Sequence, residues 1–110
     1  MEQPEIARWE ERARASGLSL ERVEPDGSPR PRARWYAIHL QPTLLDGVDL
    51  VRQWGRLGTR TVRPQRRAEH FPDVDSALIA LRRLLARRRL RGYVAPGIDP
   101  APPPEPRPGE

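Results

Sequence analysis

Apolar and polar side chains alternate through RARWYAIHLQ, which puts Tyr36, Ile38 and Leu40 on one side of the chain and Trp35, Ala37 and His39 on the other. A period of two is the mark of a β-strand. A second run, VDLVRQWGRLG, starts at Val48 after Asp46-Gly47 and ends at Gly58, with Val51 and Leu57 on one face and Arg52, Trp54 and Arg56 on the opposite one. Upstream, Leu18 to Glu24 alternates loosely and runs into the turn signal Pro25-Asp26-Gly27-Ser28. Thr61 to Phe71 predicts a further strand, and Pro64, lacking an amide hydrogen, assigns it to an edge or a bulge. Beyond it the period lengthens. Val74, Ala77, Leu78, Leu81, Leu84 and Leu85 form one stripe at helical spacing, with Asp73 or Asp75 as the cap, an end near Arg91 and Gly92 as the stop. At the N-terminus Ile6, Trp9 and Ala13 recur at helical spacing between Pro4 and Ala15, with Gly17 to close the turn. So short a helix is marginal alone, so Ile6 and Trp9 either dock on the main domain or the segment frays. The long helix needs a sheet to cover its stripe. The expected fold is α+β: a small antiparallel sheet of about four to five strands packed against one long α-helix. A short N-terminal helix (1–17) precedes that domain (18–94), and a disordered Pro-rich tail (95–110) follows it.

The tail assignment rests on seven prolines in the fifteen residues from Pro96 to Glu110, a composition that neither holds a helix nor pairs in a sheet. On that reading residues 95–110 are dispensable for folding. Length and composition remove several functions. At 110 residues there is room for one core. With no cysteine and two histidines, thiol nucleophiles, disulfide scaffolds and cysteine zinc sites are excluded, and no metal or other cofactor is expected. No apolar run is long enough to span a bilayer and the N-terminus is too charged for a signal peptide, so a cytoplasmic protein without membrane contact is expected.

The net charge of +5 is unevenly distributed. Residues 18–94 carry sixteen arginines against eight acids, while both flanks are mildly acidic; the chain has twenty arginines and no lysine. A basic domain between acidic tails suits a polyanion partner, although codon bias also inflates arginine. Arg52-Gln53-Trp54-Gly55-Arg56 is the most informative segment, because alternation sets an indole between two guanidinium groups on one face. Guanidinium forks grip phosphate, and an indole between them offers a flat surface for a sugar or base. The competing reading is a surface cluster in which arginine stems cover Trp54.

Trp54-Gly55-Arg56, preceded by DLVRQ and followed by LGT, resembles the signature of the WGR domain. The similarity extends from LERVEP through RWYAIHLQPTLLDGVDLVRQWGRLGT to a Leu-rich basic helix ending RRLRGY, about residues 20 to 93. It implies an antiparallel sheet with one helix and, as in the poly(ADP-ribose) polymerases, a module that binds DNA ends or breaks. By that resemblance Trp54 packs against a terminal sugar and Arg56 contacts the backbone or holds the surroundings of Trp54. Gly55, pointing the other way, leaves room for the helix. Gly58, Gly92 and Tyr93 belong to the structural motif. Two departures stand out: Thr59 runs directly into Arg60-Thr61-Val62 where the family often has a glycine, and Arg87, Arg88, Arg89 and Arg91 replace lysines at the helix end.

The expected nucleic-acid-binding set is thus Trp54, Arg56, Arg52, Arg60, Arg87, Arg88, Arg89 and Arg91. For the four helix arginines, solvation beside the negative end of the helix dipole competes with phosphate contact. Ile79, Ala86 and Leu90 lie opposite the stripe, to meet either the N-terminal helix or a partner protein. His39 and His70 read as structural, and no serine sits in a nucleophile or phosphate-loop context. The expectation is a non-enzymatic module for nucleic acid, with DNA ends or nicks as the target the resemblance implies. The alternative is a protein-interaction module serving a separately encoded effector.

Overall fold

Each alternating run becomes a strand, and the computed structural model describes residues 4–24, 32–56 and 63–99. Helix α1 (Pro4–Ala15) is followed by β1 (Leu18–Glu24), β2 (Arg32–Pro42), β3 (Val48–Arg56), β4 (Gln65–Phe71) and helix α2 (Val74–Leu90). The strands form one antiparallel sheet in the order β1-β2-β3-β4. β4 is an exposed edge strand as expected, but it begins at Gln65, so Pro64 precedes the ladder instead of lying within it. Gly58 and Arg60 lie outside the described residues.

The β2–β3 register sets Tyr36 opposite Trp54, Ile38 opposite Arg52 and Leu40 opposite Leu50. Those residues share the face that both helices cover, where Trp9, Ala13, Leu18, Leu20, Tyr36, Ile38, Leu50 and the α2 stripe form a single core. Leu81 and Leu85 are fully buried there, each contributing about 2 kcal/mol by area removed from water. The core face of β3 is therefore that of Val48, Leu50 and Trp54, not that of Val51. Val51 is buried on the helix-free face, outside the core cluster.

α1 docks. Trp9 is 0% exposed, Ile6 packs against the core, and α1 runs antiparallel to α2, with Glu10 accepting two bonds from Arg82 at 2.9 and 3.0 Å and Glu5 lying 3.9 Å from Arg89. It does not reach Ile79 or Leu90, which stay exposed.

At the start of α2 the Asp73 carboxylate accepts from the Ser76 amide at 2.7 Å, which satisfies a donor the first turn leaves open. At its end Gly92, with φ +90°, allows the Gly92 and Tyr93 amides to donate back to Arg89 and Arg88. That reversal drives Tyr93 into the core and lays Val94 along β1, where it exchanges two backbone hydrogen bonds with Glu21.

The boundary expected between residues 94 and 95 is corrected. Ala95 is fully buried and Ile98 packs on the core. The Asp99 carboxylate accepts from the Ala95 amide at 2.8 Å and from Trp9 Nε1 at 2.9 Å. Proline density hid this segment, because Pro96 bars regular structure without barring side-chain burial. Residues 100–110 lie outside the described residues.

Candidate nucleic-acid interface

The helix-covered row of β3 changes character along its length. Val48 and Leu50 are buried, whereas Arg52 and Trp54 are half-buried and Arg56 is exposed. The change coincides with the end of α2, where Arg88, Arg91 and Tyr93 come down towards the sheet and leave a cleft of about 950 Å³.

Its floor is aromatic. Trp54 stacks on Tyr36 with ring centroids 5.6 Å apart and planes 12° from parallel, and Tyr93 meets Tyr36 edge-on at 6.0 Å. Arginines cover these rings. The Arg88 guanidinium lies 4.5 Å from the Tyr36 centroid and 5.8 Å from that of Tyr93, Arg22 lies 5.7 Å from Tyr93, and Arg52 lies 5.9 Å from Trp54. Arg52 also donates to the Tyr36 hydroxyl at 3.4 Å. Such contacts hold a cation against the ring by the ring quadrupole, and a guanidinium so placed presents a planar N–H fork of the shape that matches a phosphate.

The walls are cationic from every direction. Arg22 comes from β1, Arg34 from β2, Arg52 and Arg56 from β3, Arg63 and Arg67 from the approach to β4 and its body, and Arg88 and Arg91 from the end of α2. No acidic residue lines the cleft among the described residues. The Arg88 Nε is buried and has no hydrogen-bond partner among the described residues. A buried guanidinium donor of this kind is costly to leave unmatched, and a bound anion would match it.

Of the residues singled out from sequence, Arg52, Trp54, Arg56, Arg88 and Arg91 are brought together here. Arg87 and Arg89 are not among the lining residues: both are exposed, and Arg89 reaches towards Glu5 on α1. Trp54 is neither a free surface indole nor a pure core residue, since one ring face is committed to Tyr36. Gly55 is corrected too. A Cβ there would approach Trp35 Nε1 to 3.0 Å, on the face without helices, so the missing side chain makes room for Trp35 rather than for α2. Arg22, Arg34, Tyr36, Arg63 and Arg67 were missed. The register is centred on Leu45, the middle of the 43–47 connection, and so places Arg34 beside Arg56 and Tyr36 beside Trp54, whereas counting outward from Asp46-Gly47 as a two-residue turn misaligns both pairs.

The histidines do not join this cleft. His70 Nδ1 lies 2.8 Å from Asp49 Oδ1 across β3 and β4, and no group of potential metal ligands occurs among the described residues. No described helix is long and apolar enough to cross a membrane.

The WGR domain family matches residues 18–98. An uncharacterized protein, y4dW, of Sinorhizobium fredii (strain NBRC 101917 / NGR234) is 37% identical over 76 residues, which cover 69% of this chain and 34% of that protein. The chain thus spans about a third of the length of the curated relative it matches. No solved structure gives a significant match.

Proposed function

We propose, from the premise that this chain belongs to the WGR domain family, that it is a non-catalytic cytoplasmic module that binds DNA at ends or nicks through the cleft between β3 and the end of α2. The WGR domain is a nucleic-acid-binding module type. The observation that carries the finer reading is the convergence of eight arginines from five places in the fold onto the stacked Trp54 and Tyr36 rings, with no acid lining the cleft among the described residues. A cleft so rich in guanidinium groups attracts phosphates, whose binding releases condensed counterions. A duplex interior presents no unstacked surface to an aromatic side chain, whereas a terminal nucleotide does. This is the reason the aromatic floor favours an end over a continuous helix.

The test is titration of a short flush-ended or nicked duplex against a closed circle, across 50 to 200 mM salt. With four to six phosphates neutralised, log affinity falls against log salt with a slope of roughly −4 to −5 for duplex DNA. A slope near zero would overturn the proposal in favour of a protein partner, and equal affinity for the circle would remove the end preference alone.

A further inference from the structure

The end of the sheet remote from the cleft has the opposite character. The β2–β3 turn carries Leu44 and Leu45, 104% and 92% exposed, and Val74 at the start of α2 is 45% exposed. The turn is built rather than loose: the Thr43 amide donates to Gly47 O at 3.2 Å and the Thr43 hydroxyl to Asp46 O at 2.7 Å. Gly47, with φ +97°, sits so close to Phe71 that a Cβ would fall 2.6 Å from its carbonyl oxygen. The two leucines are therefore held out in water by a fixed scaffold. Around them the charge inverts. Residues 42–49 and 69–76 carry Asp46, Asp49, Glu69, Asp73 and Asp75 and no arginine, in a chain with twenty.

A surface complementary to this tip lies on the solvent side of α2. Ile79 and Leu90 are 51% and 87% exposed, and Arg83 and Arg87 are exposed between them. Residues 79, 83, 86 and 90 follow helical spacing, so Ile79, Arg83, Ala86 and Leu90 form one outward stripe with no acid in it. Apolar side chains ringed by acids on one surface and apolar side chains interleaved with arginines on another are matched in both hydrophobicity and charge.

We propose that these two surfaces are the halves of a head-to-tail contact between copies of this chain, the Leu44-Leu45 tip of one seating against the outer face of α2 of the next. The halves lie on different parts of the molecule, so the contact is heterologous and propagates instead of closing into a two-fold dimer. The cleft is in neither half, and every copy in such a row keeps it open.

The experiment is sedimentation of the nuclease-treated full chain, of the tip variant Leu44→Asp with Leu45→Asp, of the helix variant Ile79→Asp with Leu90→Asp, and of an equimolar mixture of the two variants. All four positions are exposed, and circular dichroism verifies that each variant folds. Because the contact area is small, association is expected in the range of about 10 µM to 1 mM. The wild-type average mass should rise through that range past two chains, while each variant alone stays at one chain. The mixture should reach two chains and stop, because only one intact tip and one intact helix face remain to meet. A monomeric wild type, a variant that still associates, or a mixture that stays monomeric would each overturn the proposal.

Discussion

Trp54 holds two commitments at once, stacking one ring face on Tyr36 while lining the arginine-rich cleft. Trp54→Ala should therefore lower both stability and affinity. Losing a half-buried, stacked indole is expected to cost about 2 kcal/mol in denaturant unfolding, below the range for a fully buried aromatic. Trp54→Phe should keep most of that stability while giving up part of the binding surface, which separates the two effects. The arginines separate more sharply. Arg91 and Arg87 are both exposed and one helical turn apart, but only Arg91 lines the cleft. Arg91→Gln should make the salt slope of DNA binding shallower by about one unit while Arg87→Gln leaves it unchanged. Equal effects of the two would mean that net charge alone drives binding.

Among the elements, β2, β3 and both helices were legible from their periods, β1 and β4 more from the turn signal and proline beside them, and the β3 core face was not. Within β3 the apolar positions Val48, Leu50, Val51 and Trp54 fall on both faces, and only pairing with Tyr36, Ile38 and Leu40 decides between them. The segment 95–99 was illegible for a different reason: its burial depends on Trp9, 90 residues away, which no local window contains. Removing the Asp99 carboxylate leaves the buried Trp9 N–H without its acceptor, a loss expected to be about 2 kcal/mol. Asp99→Ala should show that loss in denaturant melts and Asp99→Asn should restore most of it. The α2 cap adds a pH dependence. The amide of Ser76, donating to Asp73, holds its carboxyl below the usual value of 3.8. A carboxyl with a lowered folded pKa stabilises above its unfolded pKa, and that stabilisation is lost as pH falls through the folded value. The gap in melting temperature between wild type and Asp73→Ala should accordingly be full at neutral pH and close below about pH 4.

Among the described residues the molecule is electrically polar along its sheet, with eight arginines lining the cleft at one end and Asp46, Asp49, Glu69, Asp73 and Asp75 in the segments at the other. Composition revealed the net excess of positive charge but not this separation, because charges from β1, β2, β3, β4 and α2 meet only once the strands are in register. An oriented complex follows. On adding duplex DNA, amide exchange should slow at residues 52–56 and 88–93 and stay unchanged at 43–47. Protection at the turn instead would place the nucleic acid at the wrong end of the sheet.

The Trp9–Asp99 hydrogen bond also sets an order of events during synthesis. α1 emerges early, with the apolar side of Trp9 and Ala13 uncovered, and it can close only after β1, β2, α2 and the turn at Asp99 have been made. Domains generally fold as units during translation. Here a segment made before its partners is sealed only by the last of them, so the nascent protein shows a tryptophan-bearing segment to chaperones and proteases until Asp99 has emerged.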